Sequence, residues 1–480
     1  MIVKRFYDEN LAQASYLIGC GRSGTAIVID PNRDAAQYIR AAEAEKVKIA
    51  HVTETHIHAD FVSGTRELAA AAGAKMYLSA EGGADWQYAF GDDDGATLLR
   101  DGDTIQVGNV VMTAMHTPGH TPEHLTFLVT DTSVATEPMA AVTGDFVFVG
   151  DIGRPDLLEK AAKVAGTMDA AARALFASLQ RFKREQPDWL QIWPGHGAGS
   201  ACGKGLSAVP HSTVGYERRF NWAFSMDDEN TFVHAVLEGQ PEPPKYFAEM
   251  KRINKAGPRV LGGFPAPKEL PSAEVGSRVE AGDLVIDTRP AARFGSGHVP
   301  GTINIPLGKS FSTWAGWLVP YDREFYLITD EGRAEEAARD LAIIGLDRIA
   351  GYFAGSAVDG AAAGGRTLAT VASEDIATLT AQIANGDVNV IDVRGRAEWE
   401  AGHIPDVKNI PLGYLQERLA EIPTGKPLIV HCQSGARSAI AASLLQANGL
   451  KQVINLAGGF AAWEKSGNPV ARETGQVSPA

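Results

Sequence analysis

Three short segments hold residues able to bind a metal. Thr55-His56-Ile57-His58-Ala59-Asp60-Phe61 follows the apolar run at 49–52. His116-Thr117-Pro118-Gly119-His120-Thr121-Pro122 and Thr143-Gly144-Asp145 each close a later apolar run. Two imidazoles and a carboxylate within five residues suit a divalent ion of borderline hardness. One such histidine alone would be an ordinary packing residue. Three strand ends that deliver His, His and Asp in this order point to a metal centre.

A second kind of chemistry stands near the end of the chain, at Val430-His431-Cys432-Gln433-Ser434-Gly435-Ala436-Arg437-Ser438 between an apparent strand and helix. A short loop around a thiol turns backbone N–H groups and a helix N-terminus toward it, which stabilises a thiolate and the anions it exchanges. Gly435 permits the tight loop, and Gly435 and Ser438 are expected to line the substrate side. Arg437 can hold a sulfite or thiosulfate oxyanion with its planar fork. The arginine follows the cysteine by five positions, one fewer than in cysteine phosphatases, which suits sulfur better than a phosphate ester.

The elements that must position these groups fall into three blocks. Within 1–240, strands are expected at 15–19, 25–30, 49–53, 110–115 and 140–143, and helices at 34–46, 61–72 and 168–183, with Asp34 as an N-cap. A Pro- and Gly-rich connector, 241–271, has room for a short amphipathic helix at 245–255. Two repeats follow. Each has an Asp-Thr/Val-Arg triplet (Asp287 and Asp392), then Gly-His-Val/Ile-Pro, then Asn-Ile-Pro-Leu, with 11 residues from Asp to His in both. Strand, loop and helix recur over 325–341 and 428–446, the pattern of a small parallel α/β domain. The resulting division is 1–240, 241–271, 272–360, a linker at 361–372, and 373–470.

At 480 residues the chain suggests about three domains. The net charge of −14 argues against nucleic-acid binding, and no apolar run is long enough for a bilayer. The N-terminus lacks a signal pattern, so a cytoplasmic enzyme is expected. Three cysteines, Cys20, Cys202 and Cys432, make no disulfide framework.

The first block resembles the metallo-β-lactamase superfamily, with its αββα sandwich, through the HxHxD, TPGHT and TGD segments. Two-metal members carry HxHxDH; Phe61 stands at the last position and cannot ligate. The block is similar to the persulfide dioxygenases, also through Gly150-Asp151-Ile152-Gly153-Arg154-Pro155-Asp156 and Ser200-Ala201-Cys202-Gly203-Lys204. This resemblance implies one Fe(II) per chain on a facial triad of His56, His120 and Asp145, and no organic cofactor. His58, Asp60, His116 and His196 would surround the ligands. Arg154 would hold a substrate carboxylate or orient the metal loop, or else pair with Asp151 or Asp156. Cys202 would be catalytic if Lys204 lowered its pKa, with Lys204 also binding substrate; otherwise it packs. Cys20 is expected to pack. Arg218 and Arg219, with the 245–255 helix, would form a cationic rim or a solvated face.

The second repeat resembles the rhodaneses from Ser373 to about Gly467, which makes Cys432 the sulfur carrier and Asp392, Arg394 and His403 its scaffold. Asp406 replaces the family's usual glycine, a change expected to cost little. The first repeat has Ile328-Thr329-Asp330 where the second has Val430-His431-Cys432, so it resembles a rhodanese without its nucleophile. Together these resemblances imply an α/β chain that oxidises small persulfides with O₂ to sulfite and passes sulfur through Cys432, forming thiosulfate. The partners would be small molecules, with a homo-oligomer left open. Two rivals remain: a thioester hydrolase of the glyoxalase II type, and a sulfur-carrier scaffold without catalysis.

Overall fold

The strand Gln13–Cys20 is buried along its whole length, so it must lie between two layers. Its side chains alternate. Tyr16, Ile18 and Cys20 enter one core with Phe127, Val129 and Met112, while Leu17 enters another with Tyr38 and Leu68. A computed structural model of the protein describes residues 1–157, 159, 166–240 and 242–473. They form two compact units, Met1–Phe264 with Ala342–Gly345, and Pro265–Leu341 with Leu346–Ala480.

In the first unit, one mixed sheet runs in the order β1 (Ile2–Asp8), β2 (Gln13–Cys20), β3 (Thr25–Ile29), β4 (Lys48–Thr53), β5 (Lys75–Ser79) and β6 (Thr97–Leu99). A second contains β7 (Thr104–Val107), β8 (Val110–His116), β9 (Leu125–Asp131), β10 (Ala140–Gly144), β11 (Gln191–Pro194) and β12 (Ser212–Thr213), in the spatial order β12-β11-β10-β9-β8-β7. The inner faces share one apolar core. Helices Ala35–Ala44 and Thr65–Ala72 cover the first sheet, and helix Met168–Glu185 covers the second. This is the αββα sandwich expected.

Two local expectations change. The helix expected from position 61 begins at Thr65. The Asn254 carboxamide donates to the carbonyls of His58 and Phe61 and accepts from the Ser63 N–H, so these backbone groups are not available to a helical turn. Asp34 stands at the N-cap of Ala35–Ala44, but its side chain makes no capping bond.

The second unit holds two parallel sheets. The first repeat contributes β13 (Leu284–Asp287), β14 (Ile303–Asn304), β15 (Phe325–Thr329) and β16 (Ile349–Ala354), in the order β14-β13-β15-β16. The second contributes β17 (Ala372–Glu374), β18 (Asn389–Asp392), β19 (Lys408–Asn409), β20 (Leu428–His431) and β21 (Val453–Leu456), in the order β17-β21-β20-β18-β19. The repeats share their internal bracing. Arg289 forks onto Asp287, and Arg394 onto Asp392, each with a shortest contact of 2.7 Å. His298 stacks on Phe294 as His403 stacks on Trp399. Among the described residues no helix is long and apolar enough to cross a membrane.

Asp406 has φ of 61°, in the left-handed region, where the first repeat has Gly301 at 94°. Asp406→Gly is expected to raise the stability of the second unit by about 0.5–1 kcal/mol, read as a higher calorimetric midpoint. An unchanged or lower midpoint would show that the aspartate carries a compensating contact.

Candidate functional site

The ends of β4, β8 and β10 converge at one end of the sandwich. Past β4, the Thr55 N–H and hydroxyl both donate to Asp30, at 2.6 and 3.0 Å. Because that hydroxyl is committed to Asp30, it accepts from His56 Nδ1 at 2.9 Å. His120 Nδ1 donates to the Arg154 carbonyl at 3.0 Å. Both rings are therefore held in the tautomer that leaves Nε2 a lone pair. The two lone pairs face Asp145 Oδ2, at 3.9 Å from His56 and 3.4 Å from His120.

His56 Nε2 and Asp145 Oδ2 are buried and have no hydrogen-bond partner. Lone pairs aimed at a carboxylate repel one another unless a cation lies between them. Burial and the neighbouring histidines push the His56 pKa well down, and burial lowers that of His120, so neither ring supplies the charge itself. Burial opposes ionisation of Asp145, but the surrounding histidines, His196 first among them, outweigh it and hold the carboxyl below its usual range. Metal bonds of about 2.1 Å would set donors about 3.0–3.4 Å apart; the His120–Asp145 separation of 3.4 Å matches this and the His56–Asp145 separation of 3.9 Å is longer. The donor set fits a divalent ion.

The other histidines have different partners. His58 turns Nε2 to Asp30 at 3.1 Å. Burial opposes its charge, but Asp30 and Glu54 prevail and push its pKa up to about 9. His58 lies against the Phe61 ring, with centroids 4.4 Å apart. His116, expected beside the ligands, is half-buried and donates Nε2 to the Pro122 carbonyl instead. Sequence reasoning missed His124, which stacks on His56 and accepts the Asp145 N–H at 3.2 Å. Burial pushes its pKa down to about 3. Its place four residues after His120, in the same turn, was the available signal. Asp30 was also missed, with its positive φ of 53° beneath the metal loop. Gly144 has φ of 48°, and a Cβ there would strike the Thr55 hydroxyl, so the TGD turn needs glycine.

A second buried set, Asp60, His196 and Cys202, could also hold an ion. Neither Asp60 oxygen has a hydrogen-bond partner. His196 gives Nδ1 to the Ala12 carbonyl and turns Nε2 to Asp60 and Asp145, 3.4 Å from each. The activation expected of Cys202 by Lys204 is not found. Lys204 Nζ donates to the carbonyls of Ala235 and Glu238. Burial, Asp145 and Asp60 push the Cys202 thiol well up, so it is a protonated thiol. Lys204 is thus tied to backbone rather than offered to substrate. Arg154 is fully buried, forked onto Asp156 at 2.7 and 2.8 Å, and donates to the Ala201 carbonyl. Of its alternatives, the side chain pairs with Asp156, while Arg154 also links the His120 and Cys202 segments, its carbonyl accepting from His120 and its guanidinium donating to Ala201. Cys20 packs in the sheet core and accepts from the Asn109 N–H, which brings its pKa down to about 7.

In the second unit, Cys432 lies between β20 and helix Ala436–Ala447. Its sulfur accepts from the Gly435 N–H at 3.2 Å and the Ser438 hydroxyl at 3.5 Å. Burial opposes the thiolate, but Ser438 and the loop amides outweigh it and lower the pKa. Two expectations shift. Ser438 is buried against the sulfur and acts on it, not on substrate. The Arg437 fork is closed on Glu398 at 2.6 and 2.7 Å, so a free anion clamp is replaced by an ion pair beside the thiol. Sequence reasoning assigned Glu398 no role.

Comparisons with known proteins find relatives for both units. A metallo-beta-lactamase superfamily pattern matches residues 9–196, and a rhodanese-like domain pattern matches 272–361 and 375–466. The crystal structure of a metallo-beta-lactamase from Staphylococcus aureus subsp. aureus COL is 45% identical, with a TM-score of 0.68, covering 74% of this chain and 99% of that one. A sulfurtransferase of Allochromatium vinosum is 36% identical over 102 residues, 21% of this chain and 95% of that protein. The mitochondrial persulfide dioxygenase of Bos taurus is 29% identical over 202 residues, 41% of this chain and 68% of that protein.

Two outcomes test the geometry. Thr55→Val removes the acceptor for His56 Nδ1 and should weaken binding of Fe(II) or Co(II) by about 10–100-fold, measured by chelator competition with circular dichroism unchanged. Cys432 should alkylate with a midpoint below the ordinary thiol range, and Ser438→Ala should move that midpoint up; an unmoved midpoint would mean the hydroxyl does not stabilise the thiolate. The chain belongs to the metallo-beta-lactamase superfamily through its first unit and carries two rhodanese-like domains in its second.

Proposed function

We propose that the protein is a mononuclear Fe(II) persulfide dioxygenase coupled to a rhodanese sulfurtransferase. The observation that carries this reading is the pair of unprotonated imidazole nitrogens aimed at an unpartnered carboxylate oxygen, with His58 withdrawn to Asp30 and Phe61 beside it. His56, His120 and Asp145 would hold the ion. When bound, the iron would supply open positions for a sulfur anion and O₂, and the electrons that activate oxygen. Thr55, Arg154 and Asp30 keep the ligands oriented, and the surrounding burial limits access of water.

The overall reaction would be R–S–SH + O₂ + H₂O → R–SH + H₂SO₃. The outer sulfur is oxidised by four electrons and dioxygen is reduced by four. Cys432 would carry sulfur as Cys–S–SH. Attack by sulfite on its outer sulfur breaks the S–S bond, releases the Cys432 thiol and forms thiosulfate. Amides of the loop hold the Cys432 thiolate as it departs. The division at 1–240, 272–360 and 373–470, with connectors between, is part of this proposal. So is a reducing, cytoplasmic setting, which fits three free cysteines.

A second reading draws on the Asp60, His196 and Cys202 set. Two ions there and at His56, His120 and Asp145 would suit a thioester hydrolase that uses a metal-held hydroxide. Anaerobic loading with Fe(II), metal counting and oxygen uptake with glutathione persulfide separate the two. One iron with persulfide-dependent oxygen uptake supports the dioxygenase; two metals with thioester cleavage and no oxygen uptake support the hydrolase. His120→Ala should lose metal and all oxygen uptake. Cys432→Ser should keep oxygen uptake and shift product from thiosulfate to sulfite. If that variant consumed no oxygen, the division of labour would be wrong.

A further inference from the structure

The compact first unit takes in four residues from far along the chain, Ala342–Gly345, which belong in sequence to the cysteine-free repeat. They make the turn at the C-terminal end of helix Ala334–Ile343. Ile343 and Ile344 are buried. Carbonyls at a helix C-terminus lack intrahelical partners, and two of them accept here from residues of the metal-binding half. The Val62 N–H donates to the Ile343 carbonyl at 2.8 Å. Arg33 donates one terminal nitrogen to the Ala342 carbonyl at 3.1 Å and the other to the Arg259 carbonyl at 2.7 Å. Gly345 has φ of 79°, and a Cβ there would lie 3.0 Å from Met250 Cε, 3.1 Å from Ile253 Cδ1 and 3.2 Å from Val62 Cγ2. The turn thus packs on the metal loop and on helix Tyr246–Ala256 together.

Val62 directly follows two residues that touch the metal centre's surroundings. The Phe61 ring lies against His58, with centroids 4.4 Å apart. Asp60 Oδ2 is 3.4 Å from His196 Nε2, which is also 3.4 Å from Asp145 Oδ1. Other backbone groups of this loop are held by nearer parts of the unit. The Ile57 N–H donates to Glu123, Asn254 holds the carbonyls of His58 and Phe61 and the Ser63 N–H, and the Gly64 N–H donates to the Pro31 carbonyl. The Val62 N–H is given to the turn instead. A buried N–H deprived of its acceptor is costly, so the Val62 backbone must follow the turn. Asp60 and Phe61 are tied to it by the chain.

We propose that the Ala342–Gly345 turn of the cysteine-free repeat is a positioning element of the metal centre, fixing the Asp60–Val62 end of the metal loop and with it the geometry in which His56, His120 and Asp145 take up an ion. The inference rests on the metal reading of those three residues. It gives the repeat without a nucleophile a task in the chemistry of the first unit. The turn touches none of the three ligands and acts through Val62, Phe61 and Asp60. From Asp60 the path runs to His196 and Asp145; from Phe61 it runs to His58, Asp30, Thr55 and His56. Groups that orient ligands from outside their own shell tune metal affinity.

The test uses the full-length chain with Co(II) as the probe, read by chelator competition and by the visible absorption bands of the bound ion. Gly345→Ala presses a methyl group on Val62, Met250 and Ile253. Arg33→Met frees the Ala342 carbonyl from the opposite side and leaves the glycine in place, and it decides alone if Gly345→Ala does not fold. Gly332→Ala is the control. It lies in the same repeat with φ of 75° and has nothing within 4 Å of its Cβ, so it adds backbone strain without a new contact. Gly345→Ala and Arg33→Met should each weaken Co(II) binding by about tenfold and shift the bands, while thiosulfate still loads Cys432 at the wild-type rate. Gly332→Ala should match wild type throughout. Weaker binding with unmoved bands, an equal effect of Gly332→Ala, a matching loss at Cys432, or no effect of a folded variant would each overturn the positioning role. Wild type that bound no Co(II) would overturn the metal reading, and this inference with it.

Discussion

Two imidazole lone pairs and a carboxylate oxygen meet in the interior of the first unit, and that meeting is unfavourable unless a cation joins them. Much of the local architecture serves to hold this arrangement. Thr55 is committed to Asp30, so it can only accept from His56; the Arg154 carbonyl can only accept from His120. Neither ring can turn or change tautomer without losing a buried hydrogen bond, which would cost about 1–3 kcal/mol. Asp30, in a backbone conformation few aspartates adopt, is the point where the Thr55 and His58 interactions join. His124 supports the opposite side by accepting the Asp145 N–H.

The three cysteines show how one residue type takes three states from its surroundings. Cys202 lies among carboxylates in a buried pocket and is held as a thiol. Cys432 is also buried, yet Ser438 and the loop amides stabilise its anion. Cys20 is lowered by the Asn109 and Ser23 contacts at a strand end. Burial alone does not decide reactivity; the sign of the groups facing the sulfur does.

The fold class was legible because its signals are local. The short apolar runs of β2 and β3, apolar runs ending in His or Asp, and the repeated Asp-x-Arg and Gly-His-x-Pro segments are patterns a short window can hold. Element ends were less legible. The helix starting at Thr65 was expected four residues earlier, because Asn254, almost 200 residues away, claims the backbone at 58–63. The expected pairing of Cys202 with Lys204 failed for a related reason. Adjacent positions need not face each other, and Lys204 is drawn off by two carbonyls near the end of helix Glu229–Leu237.

The sequence by itself determined the chemistry available: which segments carry imidazole, carboxylate or thiol, that Phe61 cannot be a ligand, and that the first repeat has no nucleophile. Tertiary structure alone decided how those groups are used. It turned His58 away to Asp30, set His124 beneath Asp145, closed Arg437 on Glu398 and brought Asp60, His196 and Cys202 together. The reason is physical. Residue type fixes what a group can donate, accept or coordinate, whereas orientation and charge state depend on partners that only folding brings within hydrogen-bonding distance.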